Sequence, residues 1–220
     1  MPQARVLPPL GACAAALLVC GACALPYRQG AEPAPDDAPA NRIQVLHPFL
    51  AERIVALEAR SPRLKEALDA VRAGSVPVLV GTPELLHDSV PWLGVEMTSG
   101  RLAEFAAYVD TASGAVNVSV IRVDLRRIAA YQTTDIPPVA TWFSAEERQA
   151  RFERAVDAIL IHELWGHLVP LARTWSIASH CRDPLPGQRE LDSCVMQREN
   201  ELRAELGLSP RVSYALDSGW

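Results

Sequence analysis

The chain has 220 residues, of which 49% are hydrophobic, and this is enough for one domain with a substantial core but not for two full domains. Its formal net charge of -5 at pH 7 lacks the basic excess that a nucleic-acid-binding face requires. Nothing in the composition therefore suggests a nucleic-acid partner, and the motifs must indicate what the protein binds.

The N-terminal segment has the composition of an export signal. Arg5 supplies a short basic region, and an apolar run over residues 10–25 follows it. Because this run is too short for a comfortable membrane span, residues 1–24 are predicted to be a signal peptide. Residues 25–41 are rich in proline, alanine and aspartate and are predicted to be a disordered linker, since they cannot bury enough apolar surface to fold. Residues 42–220 are then the folded domain.

Two processing routes remain open at the end of the signal peptide. Ala22-Cys23-Ala24 fits a small-x-small cleavage site, which would release a soluble exported protein. Cys20-Gly21-Ala22-Cys23 instead resembles a bacterial lipoprotein box, in which Cys23 is lipidated and attaches the chain to a membrane. We favour the second route because an unstructured tether follows Cys23. Both routes predict a location in the bacterial cell envelope, in the periplasm or anchored at its membrane.

The first predicted elements of the domain are two helices and a strand. Pro48–Ala59 is predicted to be a helix, and Ser61 is the predicted N-cap of a second helix that ends near Gly74. Val76–Val80 is predicted to be a short buried strand. Pro77 favours a position at the sheet edge, because proline cannot donate a hydrogen bond to a neighbouring strand.

A β-hairpin is predicted next. Its strands are Phe105–Val109 and Val116–Leu125, with the turn at Thr111–Gly114. The apolar alternation of the second strand shifts by one position between Val120 and Ile121. Such a shift indicates either a bulge or an end that is buried on both faces.

The C-terminal half is predicted to be mainly helical. Residues 131–143 are predicted to be a loop, and Ser144 with Glu147 forms a capping box, so a long helix begins directly after the serine. A second loop over residues 174–188 leads to a final helix from about Arg189 to Leu206.

Two cysteines, Cys181 and Cys194, remain in the exported domain. An even number of cysteines in an oxidising compartment predicts a disulfide, which would close a short loop and contribute about 3 kcal/mol. The alternative, that both are metal ligands, is less favoured because no C-x-x-C spacing is present.

The long predicted helix carries Ile161-His162-Glu163-Leu164-Trp165-Gly166-His167. The common zinc-hydrolase motif, H-E-x-x-H, places its histidines at i and i+4 on one helix face. Here they are at i and i+5, and a regular α-helix would separate them by about 140°. One residue accommodated as a π-bulge would bring both imidazoles together, and Gly166 could absorb the distortion because it lacks a Cβ atom.

The segment H-E-L-W-G-H resembles the H-E-x-x-G-H motif of the dipeptidyl peptidase III family of zinc peptidases. A second motif of that family, E-E-x-R-A-E, resembles Asn200-Glu201-Leu202-Arg203-Ala204-Glu205. The resemblance covers only about residues 150–208, and family members are much larger. Asn200 replaces the first acidic residue of the family motif, which lowers the expected metal affinity.

The resemblance implies one zinc ion held by His162, His167 and Glu201. Glu163 is then the general base and the proton shuttle to the leaving amine. Glu205 and Asn200 are the candidates for hydrogen bonds to the ligating histidines. The donor to the developing oxyanion remains open among four side chains: Tyr108, Tyr131, His180 and Tyr214.

The predicted fold is α+β and zincin-like, with a short, mostly antiparallel sheet, a catalytic helix and a second helix that bears the third ligand. The predicted function is zinc-dependent hydrolysis of a peptide bond in a peptide or protein substrate. The hairpin is the best candidate for an edge strand along the substrate cleft, and the favoured alternative is a purely structural hairpin. The alternative is a non-catalytic zinc-binding envelope lipoprotein, either a pseudoenzyme or an interaction module.

Overall fold

A computed structural model describes residues 42–89, 101–110, 112–134, 143–181 and 189–212. The predicted signal peptide, the linker and Cys23 lie outside these ranges. Within them the fold is α+β, as predicted. The strands are β1 (Ile43–Val45), β2 (Val78–Gly81), β3 (Ala103–Val109) and β4 (Val116–Val123). The helices are α1 (Pro48–Arg60), α2 (Pro62–Arg72), α3 (Pro83–Ser89), α4 (Leu125–Thr134), α5 (Ala145–Leu160), α6 (Val169–Ala172) and α7 (Cys194–Glu205), and a π-helix (Ile161–Leu168) joins α5 to α6.

The described strands form one mixed sheet in the order β1-β2-β4-β3. β1 and β2 are parallel, β2 and β4 are parallel, and only β3 and β4 are antiparallel. The prediction of a mostly antiparallel sheet is therefore wrong. The physical reason is the connection through α1 and α2, which returns the chain to the starting end of the sheet and makes β2 parallel to β1.

The strand β2 lies inside the sheet, so its predicted edge position is also wrong. Pro77 comes directly before β2, and its missing N–H therefore removes no bond from the strand. Its carbonyl still accepts a hydrogen bond from the Ser119 N–H at 3.0 Å. A proline at this position is compatible with an interior strand.

The predicted hairpin is confirmed, and β3 is its outer strand. The pairing register shifts between Tyr108 and Val109, where Asn117 is the extra residue of β4. The end of β4 near Val120 and Ile121 is instead buried on both faces, which confirms the second explanation for the shifted alternation.

Serine caps set three of the helix starts. The Ser61 hydroxyl accepts from the Leu64 N–H at 3.0 Å, and Ser144 and Glu147 form the predicted capping box. α7 begins at Cys194, five residues later than predicted, because Ser193 caps it. The predicted loop over residues 131–143 is wrong at its start, since α4 extends to Thr134, and residues 135–142 lie outside the described ranges.

The composite helix Ala145–Ala172 crosses the middle of the domain. By length and hydropathy it could span a membrane, but its most apolar window is 89% buried inside the protein. Packing against the sheet, α1 and α7 therefore accounts for its apolar character. The π-helix is buried along its whole length, and α7 covers its outer side.

Gly166 lies where Val195 of α7 packs against the π-helix, and this contact generates a stability prediction. A Cβ atom added at Gly166 would lie 2.7 Å from Val195 Cγ1. Alanine is intrinsically about 1 kcal/mol better than glycine in a helix, so without the contact Gly166→Ala would stabilise the protein. We expect instead a loss of about 1–3 kcal/mol from overpacking, measured by urea denaturation.

Val195→Ala provides the matched compensation. In the double variant Gly166→Ala/Val195→Ala, the smaller side chain at position 195 makes room for the added methyl group. The loss in free energy of unfolding should therefore be smaller than the sum of the losses of the two single variants. Equal or higher stability of Gly166→Ala alone would contradict this account of the packing.

Candidate metal centre

The π-helix brings His162 and His167 onto the same side, as predicted. Their Nε2 atoms lie 3.3 Å apart, and the ring planes meet at 81°. Two nitrogens bound tetrahedrally to zinc at about 2.0–2.1 Å are separated by about 3.3–3.4 Å. The spacing of the two imidazoles therefore fits a shared tetrahedral ion.

The other ring nitrogen of each histidine faces an acceptor. His162 Nδ1 lies 2.9 Å from Glu199 Oε2, and His167 Nδ1 lies 3.0 Å from the Cys181 carbonyl oxygen. A carbonyl and an ionised carboxylate can only accept, so both Nδ1 atoms carry hydrogen. Neutral imidazoles with this tautomer present lone pairs at both Nε2 atoms. Two lone pairs 3.3 Å apart need a cation between them, either a proton or a metal ion.

Glu163 completes the cluster. It follows His162 on the π-helix and is 5% exposed. One ligand atom from each of His162, Glu163 and His167 lies within 4.8 Å of the others, and among the described residues these are the side chains grouped closely enough to hold a metal ion. A buried carboxylate beside two imidazoles can either ligate a cation or exchange a proton with a neighbouring water.

Glu199 is the buried carboxylate that orients His162, and it is completely inaccessible to solvent. Burial alone would raise its pKa, but the hydrogen bond from His162 and the charge of Arg211 outweigh burial and hold the pKa of Glu199 below its usual value. Arg211 Nη1 lies 3.1 Å from Oε2, and Arg203 Nη1 lies 3.4 Å from Oε1. Glu199 therefore stays ionised and keeps accepting from the imidazole.

Glu201, the predicted third ligand, does not join the site. Its side chain is 52% exposed and pairs with Arg63 at 3.2 Å. Glu201 is two positions after Glu199, about 200° around α7, so the two carboxylates point to opposite sides of the helix. In this structure Glu201 is therefore not brought together with His162 and His167.

The two residues predicted to support the histidines have other partners. Glu205 accepts a hydrogen bond from the Ser61 hydroxyl at 2.5 Å and thereby ties α7 to α2. Asn200 bonds to the backbone of Arg211 and not to either imidazole. Neither residue touches the cluster, and the supporting contact comes from Glu199 instead.

The sequence contains a signal for Glu199 that the motif comparison missed. The buried residues of α7 are Val195, Met196, Glu199 and Leu202. This spacing marks one helix face, and a carboxylate in an otherwise apolar stripe must have a buried partner. Glu201 lies off this stripe and is solvent-facing by the same criterion.

Two further aromatic rings stack against His167. The rings of Phe105, His167 and His180 are nearly parallel, with centroids 5.2–5.7 Å apart. Of the candidate oxyanion donors, His180 lies beside the cluster. Tyr108 accepts a hydrogen bond from Arg122 at 2.9 Å and packs in a small apolar cluster with Leu86 and Val118. The side chain of Tyr131 is not described, and Tyr214 lies outside the described residues.

The predicted disulfide between Cys181 and Cys194 is present, with Cα atoms 5.4 Å apart. The disulfide links the two segments that carry the hydrogen-bond acceptors of His162 and His167. The Cys181 carbonyl accepts from His167, and Cys194 is the first residue of α7, which carries Glu199. The covalent bond therefore limits how far either acceptor can move away from the histidines of the π-helix.

Comparisons with known proteins identify no relative. No protein-family model, curated protein or solved structure matches this chain. The candidate metal centre therefore has only its own geometry and the two sequence motifs as evidence.

The place of the disulfide yields a second prediction. In the double variant Cys181→Ala/Cys194→Ala, the free energy of unfolding should fall by about 3 kcal/mol, because the crosslink no longer restricts the unfolded chain. The affinity for zinc should fall as well, since both acceptors lose a common tether. Urea denaturation and competition with a chromophoric chelator measure the two effects. Loss of stability with unchanged zinc affinity would show that the disulfide does not support the centre.

Proposed function

We propose that this protein is an exported zinc-dependent peptidase that hydrolyses peptide bonds in the bacterial cell envelope. The observation that carries the proposal is the pair of histidine Nε2 atoms 3.3 Å apart, with a glutamate beside them and an acceptor behind each ring. The resemblance of the two motifs to dipeptidyl peptidase III supports the choice of peptide hydrolysis over other reactions.

His162 and His167 would hold the zinc ion, and their Nδ1 hydrogen bonds keep both rings oriented towards it. A bound zinc ion supplies a Lewis acid and lowers the pKa of a coordinated water to about 7. Glu163 accepts a proton from the attacking water and delivers it to the amine of the leaving group. Its buried position beside the pair suits both transfers.

Substrate would bind along β3. Among the described strands β3 pairs only with β4, and its residues from Glu104 to Val109 are buried. An extended peptide would therefore have to displace whatever covers this edge in order to add as a further strand. Phe105 of β3 lies against His167, with ring centroids 5.6 Å apart, which brings this edge next to the metal centre. A zincin-like fold, in which an edge strand lies beside the catalytic helix, is part of this proposal.

The competing function is zinc binding without catalysis. Catalytic zinc sites generally use three protein ligands and one water, and the position of Glu201 removes the expected third ligand. A zinc-binding envelope protein serving as an interaction module would have the same histidine pair and no turnover. Activity of the purified protein on a broad peptide library, with and without a chelator, distinguishes the two functions.

Replacement of single glutamates tests the assigned roles. Glu163→Gln should retain one equivalent of zinc and lower the turnover number by about 10²–10⁴-fold, because the amide cannot accept the proton. Glu201→Gln is the matched control on a solvent-facing position and should leave zinc content and turnover unchanged. Elemental analysis and a chelator-sensitive peptide cleavage assay supply the two measurements.

Two outcomes would contradict the proposal, and a third would change only the set of zinc ligands. Full activity of Glu163→Gln would remove the proposed base, and loss of zinc from Glu201→Gln would restore that residue as a ligand. One equivalent of zinc with no chelator-sensitive cleavage by the unmodified protein would favour the non-catalytic function.

A further inference from the structure

The chain turns back on itself after α7. Gly207 adopts a positive φ of 70°, which glycine tolerates without strain, and the Leu208 N–H bonds to the Arg203 carbonyl at 2.8 Å. Arg203 Nε also donates to the Ser209 carbonyl at 2.8 Å. Residues 208–212, here called the return segment, therefore run back along the helix that they follow.

Asn200 fastens the return segment to α7. Its Oδ1 accepts from the Arg211 N–H at 2.6 Å, and its Nδ2 donates to the Arg211 carbonyl at 2.9 Å. An amide can make this pair of bonds because it carries both a donor and an acceptor, whereas a carboxylate can only accept. This contact accounts for asparagine at the position where the resembling peptidases have an acidic residue.

The fastened backbone aims the Arg211 guanidinium at Glu199. Arg211 Nη1 lies 3.1 Å from Oε2, the same oxygen that accepts from His162, and 3.5 Å from Oε1. Glu199 is fully buried, so its charge requires a nearby cation. Arg203 contacts the opposite oxygen, Oε1, at 3.4 Å. Arg211 is thus the cation that touches the oxygen on which the orientation of His162 depends.

We infer that Arg211, fixed by Asn200, is a positioning residue of the metal centre: it holds Glu199 against His162 and thereby sets the zinc affinity. The inference rests on the proposed function, because it assumes that His162 binds zinc. Arg211 would act on the imidazole through Glu199. The chemical consequence is that a residue 49 positions after His162 in the chain sets how firmly that imidazole is oriented.

Zinc affinity of purified variants tests the inference, with zinc ions alone as the probe and a chromophoric chelator as the competitor. Arg211→Ala should raise the zinc dissociation constant about 10- to 100-fold, the range typical for loss of a group behind a ligating histidine. Arg211→Lys keeps a cation and should recover part of the affinity. Asn200→Asp keeps the acceptor but loses the donor, so it should weaken binding less than Arg211→Ala does. Arg154→Ala, at an exposed position of α5, is the control and should bind as the unmodified protein does.

A double-mutant cycle separates positioning from general stability. If Arg211 acts through Glu199, Arg211→Ala should change zinc affinity far less in a Glu199→Gln background than in the unmodified protein. The visible absorption spectrum of the cobalt-substituted Arg211→Ala variant should also change, because the orientation of one imidazole changes. If Arg211 only stabilised the fold, Arg211→Ala would lower the midpoint of unfolding and leave the cobalt spectrum unchanged.

The failure of this inference is distinguishable from failure of the proposed function. If the unmodified protein binds one equivalent of zinc and Arg211→Ala binds it equally well, the positioning role is overturned and the peptidase proposal stands. If the unmodified protein binds no zinc, the proposed function fails first. Should Arg211→Ala not fold, unchanged affinity in both Arg211→Lys and Asn200→Asp overturns the inference.

Discussion

The widened helix between Ile161 and Leu168 is the constraint on which the rest of the structure depends. A π-helical turn contains about one residue more than an α-helical turn, so histidines five positions apart come to lie on the same side. Their Nε2 atoms then face each other at 3.3 Å. That spacing disfavours two bare lone pairs and suits a shared cation. The surrounding elements supply the packing and the hydrogen-bond acceptors that keep both rings in place.

α7 supports this helix in three ways. Val195 fills the space left by Gly166, Glu199 accepts from His162, and Cys194 is bonded to the residue whose carbonyl accepts from His167. The return segment adds Arg211 to the buried face of α7 through the Asn200 contact. Because packing, hydrogen bonding and a covalent bond converge on one helix, a change in the position of α7 would displace both imidazoles together.

Local patterns predicted the local structure well. The capping box at Ser144, the cysteine pair and the helix distortion depend on residues near one another in the chain, and each is present. The parallel pairing of β2 was missed because strand direction depends on how long connections pack, which no short pattern records. The carboxylate behind His162 was sought at Glu205, one turn after the predicted ligand Glu201, and Glu199 was missed. The apolar spacing of Val195, Met196 and Leu202 identifies Glu199 instead.

Anomalous diffraction at the zinc absorption edge, from crystals of the protein equilibrated with zinc, tests the central claim most directly. The geometry predicts one peak bonded to the Nε2 atoms of His162 and His167, on a helix that remains π-helical around it, with Glu199 still hydrogen-bonded to His162. A regular α-helix with the two rings on different sides, or a zinc peak bound elsewhere and none between these imidazoles, would contradict it.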